Sequence, residues 1–122
     1  KLELQRELAA EGLGELPDEV GVYMIEGPFF FAAVENFSQV LDRSREAPSV
    51  VVIRLRYVPF IDATGLQTLE DVITQLQQQG VRVMLIETNE RVQNKLRRMG
   101  LMARLGEGNV LRNLPEVVSS RE

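Results

Sequence analysis

Val50-Val51-Val52-Ile53-Arg54-Leu55-Arg56-Tyr57-Val58-Pro59-Phe60-Ile61-Asp62-Ala63-Thr64-Gly65-Leu66 reads as a buried strand, a short loop holding one proline, and the start of a helix. Val50 to Leu55 is apolar on both faces, the pattern of a strand covered by helices on two sides. Residues 64–79 continue as the clearest helix in the chain. Leu66, Leu69, Val72, Ile73 and Leu76 form a stripe, while Glu70, Asp71, Gln75 and Gln77 to Gln79 face water. Gly80 is a natural C-terminal stop. The junction, Asp62-Ala63-Thr64-Gly65, places an acid, a hydroxyl and free backbone N–H groups at one helix N-terminus. Such an end favours anions. Thr64 with Gln67 three residues later matches a capping box, and Gly65 permits a close approach or an unusual backbone angle. Two roles for Thr64 stand side by side. One is a helix cap. The other is a phosphoacceptor, where a phosphate adds about −1.5 to −2 charge beside Asp62.

Working outward, Val20 to Ile25 reads as a strand ended by Gly27-Pro28, and Ala33 to Glu46 as a helix with Ala33, Phe37, Val40 and Leu41 on one face. Val81 to Ile86 is a third strand. Asn89 to Met99 is a helix with Val92, Leu96 and Met99 inward, closed by Gly100. Val110-Leu111 is a candidate edge strand, and Asn113-Leu114-Pro115-Glu116 looks like a capped helix start. Residues 1–16 read as a short helix or linker, and 17–122 as one domain. Strands alternating with helices of this length predict an α/β fold: a single domain with a mostly parallel sheet of four to five strands flanked by helices.

Composition narrows the function classes. The 122 residues suffice for one ordinary core, with 44% apolar and 26% charged residues. There is no Cys and no His, which removes thiol nucleophiles, imidazole bases and the usual zinc or haem ligands. No enzyme activity, cofactor or metal is expected. The net charge of −4 gives no bulk attraction to nucleic acid. The longest apolar runs, Phe29 to Val34 and Val50 to Ile53, fall well short of the roughly 20 residues that span a bilayer. The first residue, Lys1, hints at a piece of a longer protein.

The succession of strand, Val58-Pro59-Phe60-Ile61-Asp62-Ala63-Thr64-Gly65-Leu66, amphipathic helix, Gly80 and strand resembles the STAS domain, named for sulfate transporters and anti-sigma-factor antagonists. In the antagonist branch the hydroxyl residue before the glycine is the phosphoacceptor, and Thr64 matches it. Asp62 matches the preceding acid. A second segment, Glu26-Gly27-Pro28-Phe29-Phe30-Phe31-Ala32-Ala33, is similar to the Gly-x-Leu/Phe-Phe-Phe-Ala segment of STAS domains at the C-terminus of SulP anion transporters. Antagonists usually carry an acid there, and this chain has none. The Lys95-Leu96-Arg97-Arg98-Met99-Gly100-Leu101 helix end also resembles the SulP pattern.

This resemblance implies a non-catalytic regulatory domain on the cytoplasmic side of the cell membrane, as part of a bacterial transporter of sulfate or another inorganic anion. Its implied partner is the membrane domain of the same transporter, with self-association and an anion or nucleotide as further candidates. Phe29, Phe30, Phe31 and Ala32 form a candidate anion-binding or partner surface. Asp62, Thr64 and Gly65 form the candidate switch turn. The alternative is a free-standing antagonist phosphorylated at Thr64. The segment Glu87-Thr88-Asn89-Glu90-Arg91-Val92 departs from relatives in lacking the proline often seen there. Arg91, Lys95, Arg97 and Arg98 make the one dense basic cluster. They fit either a solvated face or contact with anionic headgroups or an acidic loop. Arg54 and Arg56, near the turn, are candidate ion-pair partners for Asp62.

Overall fold

The computed structural model describes residues 20–26 and 49–121. The predicted elements at 1–16 and 33–46, and the segment Phe29, Phe30, Phe31 and Ala32, lie outside the described residues. The chain order is β1 (Val20–Glu26), β2 (Val50–Tyr57), α1 (Ala63–Gln78), β3 (Arg82–Ile86), α2 (Glu90–Arg98), α3 (Leu101–Leu105), a 3-10 turn (Glu107–Asn109), β4 (Val110–Leu111) and α4 (Leu114–Arg121). The four strands pair in parallel in the order β1-β2-β3-β4. Val50 stands between Val20 and Arg82, and Ile53 between Tyr23 and Leu85. The parallel α/β fold expected from the alternating pattern is therefore present.

Parallel neighbours in sequential order need crossovers, and crossovers of one hand put their helices on one face. Val51, Ile53, Leu55, Val83 and Leu85 point to that face. They pack with Leu66, Leu69, Val72, Ile73 and Leu76 of α1, Val92 and Leu96 of α2, and Leu101, Met102 and Leu105 of α3. The alternate strand residues Val50, Val52, Met84 and Ile86 form a second cluster with Leu114 and Val117 of α4. This division follows the two-residue period of a strand. Each fully buried aliphatic side chain contributes about 1.5–3 kcal/mol before entropy is counted.

Three details differ from expectation. Met99, placed inward by helical spacing, is 59% exposed. The helix stops at Arg98, so Met99 becomes its C-cap, and Gly100 turns the chain in the left-handed region at φ 81°. The core place beyond Leu96 is taken by Leu101 and Met102. They belong to α3, a five-residue helix too short to show a periodicity in its sequence. Finally, β2 runs two residues past Leu55, and its register with β1 shifts between Met24 and Glu26. This irregularity re-aims the strand end that leads into the Pro59 loop.

Candidate functional site

The C-terminal ends of β2 and β3 deliver two helix N-termini to one edge of the sheet. This is the edge where open parallel sheets commonly bind ligands. The first is α1. Ile61 is buried in the core, and Asp62 follows in an extended conformation at φ −86° and ψ 178°. Its carboxylate Oδ1 accepts from the Gly65 N–H at 2.8 Å, and its carbonyl accepts from Leu66 N–H at 2.9 Å. Asp62 is therefore the N-cap. The expected cap at Thr64 with its Gln67 partner is corrected by two residues. Gln67 instead donates to Asp71 at 3.0 Å, one turn further along.

The physical reason lies in the anchor before the turn. Val58 and Ile61 are both buried, and this fixes where the chain enters the helix. Residue 62 is then the last one outside helical geometry, and a carboxylate there serves as well as any cap. Thr64 falls inside the first turn. It is exposed, its carbonyl accepts from the Thr68 hydroxyl at 2.9 Å, and its own hydroxyl has no hydrogen bond among the described residues. Gly65, one residue on, is buried. We expect Asp62→Ala to cost about 1 kcal/mol of stability through loss of the cap. Thr64→Ala is expected to stay within about 0.5 kcal/mol of the unaltered chain. Urea unfolding of the two variants checks this pair, and a larger cost at Thr64 would return the capping role to it.

The second N-terminus is that of α2. Asn89 is its N-cap, with Oδ1 accepting from the Val92 N–H at 2.7 Å. The same side chain donates through Nδ2 to the carbonyls of Val58 and Pro59, at 3.3 and 3.1 Å. One amide thus caps a helix and holds the loop that precedes the Asp62 turn. Phe60 in that loop is 46% exposed, and Tyr57 just before it 52%.

Between the two helix starts stands an ion cluster that sequence reasoning assigned differently. Arg54 and Arg56 do not pair with Asp62; both reach Glu87. Arg54 donates Nε to Oε1 at 2.8 Å and Nη2 to Oε2 at 3.0 Å, a two-pronged contact. Arg56 donates Nη2 to Oε2 at 2.6 Å. The Arg54 side chain is only 3% exposed and that of Glu87 11%. Arg54 continues the row of Val50 and Val52 on the α4 face, so its charge enters the core edge and requires a carboxylate there. Glu87 occupies the left-handed region at φ 63° and donates its N–H to the Leu111 carbonyl at 3.3 Å. A non-glycine residue in that conformation marks a turn held by its surroundings. The signal that could have found Glu87 is the acid placed immediately after β3, beside β2 in a parallel sheet.

Chemically the edge offers a capped helix start, an exposed hydroxyl, two exposed aromatics and an Arg-Glu-Arg ion cluster. No cluster of metal-ligating side chains is found among the described residues. No described helix is long and apolar enough to cross a membrane.

Residues 15–114 match the model of the STAS domain family. The solved structure of the SulP transporter STAS domain from Vibrio cholerae is 41% identical, with 99% of this chain and 94% of that chain covered, at a TM-score of 0.82. A sulfate transporter family protein from Wolinella succinogenes is 31% identical over 93% of this chain and 94% of that one, at a TM-score of 0.80. A Bacillus subtilis (strain 168) sequence named "Putative sulfate transporter YvdB" is 21% identical over 89 residues, 72% of this chain. The chain spans 17% of that curated relative's length.

Proposed function

The chain belongs to the STAS domain family, and from that membership we propose that it is the regulatory and interaction domain of a bacterial SulP-type transporter of sulfate or another inorganic anion. It lies on the cytoplasmic side of the membrane and works by contact, without bond-breaking chemistry of its own. The observation that carries this reading is 41% identity across nearly the whole chain to a SulP transporter STAS domain. The sheet edge supports it. Asp62 and Asn89 fix two helix starts and the Pro59 loop as one unit, with Thr64 exposed in the first turn of α1. That is a surface suited to the transporter's membrane domain or to a second copy of the chain. An anion or nucleotide is the chain's candidate small ligand, with Phe29, Phe30, Phe31 and Ala32 as candidate contacts. The reading frame that encodes the chain tests this directly. It is expected to encode a series of apolar spans of about 20 residues upstream. A frame without them would refute the reading.

A second reading is favoured by one observation. Because Asp62 takes the capping role, the exposed Thr64 hydroxyl is left to the solvent side of the first turn. A phosphate there changes the charge of the edge without disturbing the core. In this reading the chain is an antagonist-like switch phosphorylated at Thr64. Intact mass of the protein taken from its native cell decides it, by the presence or absence of one added phosphate on Thr64.

A further inference from the structure

Helix α2 carries Arg91, Lys95, Arg97 and Arg98 within nine residues, in a chain whose net charge is −4. Its core side is Val92 and Leu96, both fully buried. At 3.6 residues per turn, Arg97, Arg98, Arg91 and Lys95 then spread across the solvent side over an arc of about 160°. Arg91, Arg97 and Arg98 are exposed, and Lys95 is half-buried.

Every other arginine side chain described has a partner. Arg54 and Arg56 hold Glu87; Arg82 donates to Asn109 at 2.7 Å; Arg104 lies 3.8 Å from Glu70, and Arg112 3.4 Å from Glu116. The four cations of α2 have no side-chain hydrogen bond or ion pair among the described residues. The helix dipole accounts for Lys95, Arg97 and Arg98, which sit in the last turn. It does not account for Arg91, which stands in the first turn, where the dipole disfavours a cation. The helix's one acid, Glu90, takes the first position and pairs with none of them.

The exposed large hydrophobic residues complete the surface. Among the described residues these are Tyr57, Phe60 and Met99. Met99 is the C-cap of α2, and Tyr57 and Phe60 flank the Val58-Pro59 pair to which the N-cap Asn89 donates. Exposed apolar side chains therefore stand at both ends of an unpaired basic face. Cations with long flexible stems, flanked by aromatic and thioether groups, suit an interface of anionic headgroups over acyl chains.

We propose that α2, with Met99 and the Tyr57–Phe60 loop, rests on the anionic surface of the membrane. This goes beyond the transporter reading, since attachment through the chain requires no contact with lipid. The two fail separately, because lipid binding is measured on this chain alone and the reading frame is read independently of it.

The test is sedimentation of the 122-residue chain with vesicles of phosphatidylcholine, alone or mixed with phosphatidylglycerol. Binding is expected only with the phosphatidylglycerol vesicles, and it is expected to be lost at about 1 M salt, where screening acts within about 3 Å. Each neutralised cation lowers partitioning by about fivefold, so the Arg91→Gln, Lys95→Gln, Arg98→Gln triple variant should lose about a hundredfold. The double variant Arg104→Gln, Arg112→Gln, whose arginines already have partners, should bind like the unaltered chain. An unfolding curve of the triple variant confirms that it folds. Equal binding to neutral vesicles, or undiminished binding by the folded triple variant, would overturn the proposal. So would tighter capture of a soluble polyglutamate peptide than of vesicles, which would assign the face to an acidic protein segment.

Discussion

Glu87→Ala is expected to lower the unfolding free energy by about 3–5 kcal/mol, the cost of removing one partner of a buried ion pair. Arg54 is the buried charge that loses this carboxylate: 3% exposed, on the α4 face of β2, and held by both of its oxygens. Arg56, more open to water, loses the same partner but can be hydrated. Folding stability of ordinary domains is about 5–15 kcal/mol, so this one substitution removes a large share. Two comparators separate charge from backbone. Glu87→Gly also removes the carboxylate but relieves a residue held at φ 63°, so it should be about 1 kcal/mol milder than alanine. The double variant Arg54→Met, Glu87→Gln should recover part of the loss, because the buried charge that Glu87 balanced is removed with it. Urea unfolding measures all three. A cost at Glu87→Ala within the range of a surface substitution would mean that Arg54 finds water in solution.

Leu69→Ala is expected to cost about 2–5 kcal/mol, the range for a truncated buried leucine. Leu69 is fully buried in the middle of α1, between Leu66 and Ile73 in the cluster that meets Val51, Ile53 and Leu55. The spread depends on how far α1 can settle towards the sheet. Asp62 and Asn89 fix the near end of that helix, so little collapse is expected and the upper half of the range applies. Gln75→Ala, on the wet side of the same helix, should change stability by no more than about 0.5 kcal/mol. Comparable losses at the two positions would show that α1 is not seated as described.

Leu69 and Glu87 mark how far local sequence patterns reach. The α1 stripe, the buried β2 and the glycine stops are local patterns with the period of a helix or a strand, and they stand where the pattern put them. The parallel sheet followed from their alternation. Asp62 and Thr64 compete for one cap two residues apart, and only the burial of Val58 and Ile61 decides between them. Glu87 lies 33 residues from Arg54, and nothing in either local sequence announces the pair. It needed the register of β2 against β3. Met99 fits the helical spacing, but the helix ends one residue too soon. The five residues of α3 repeat too briefly to signal a helix. Local periodicity was legible; choices made by tertiary packing were not.

In the proposed function, the sheet edge is the contact surface that ties these residues to the transporter. On that proposal, anion uptake by the parent polypeptide is the most direct measurement, comparing the complete protein with one truncated just before this domain. The proposal predicts that the truncated form reaches the membrane but transports at an altered rate, having lost the contact between this domain and the membrane part. Unchanged uptake by an equally abundant truncated protein would contradict the account.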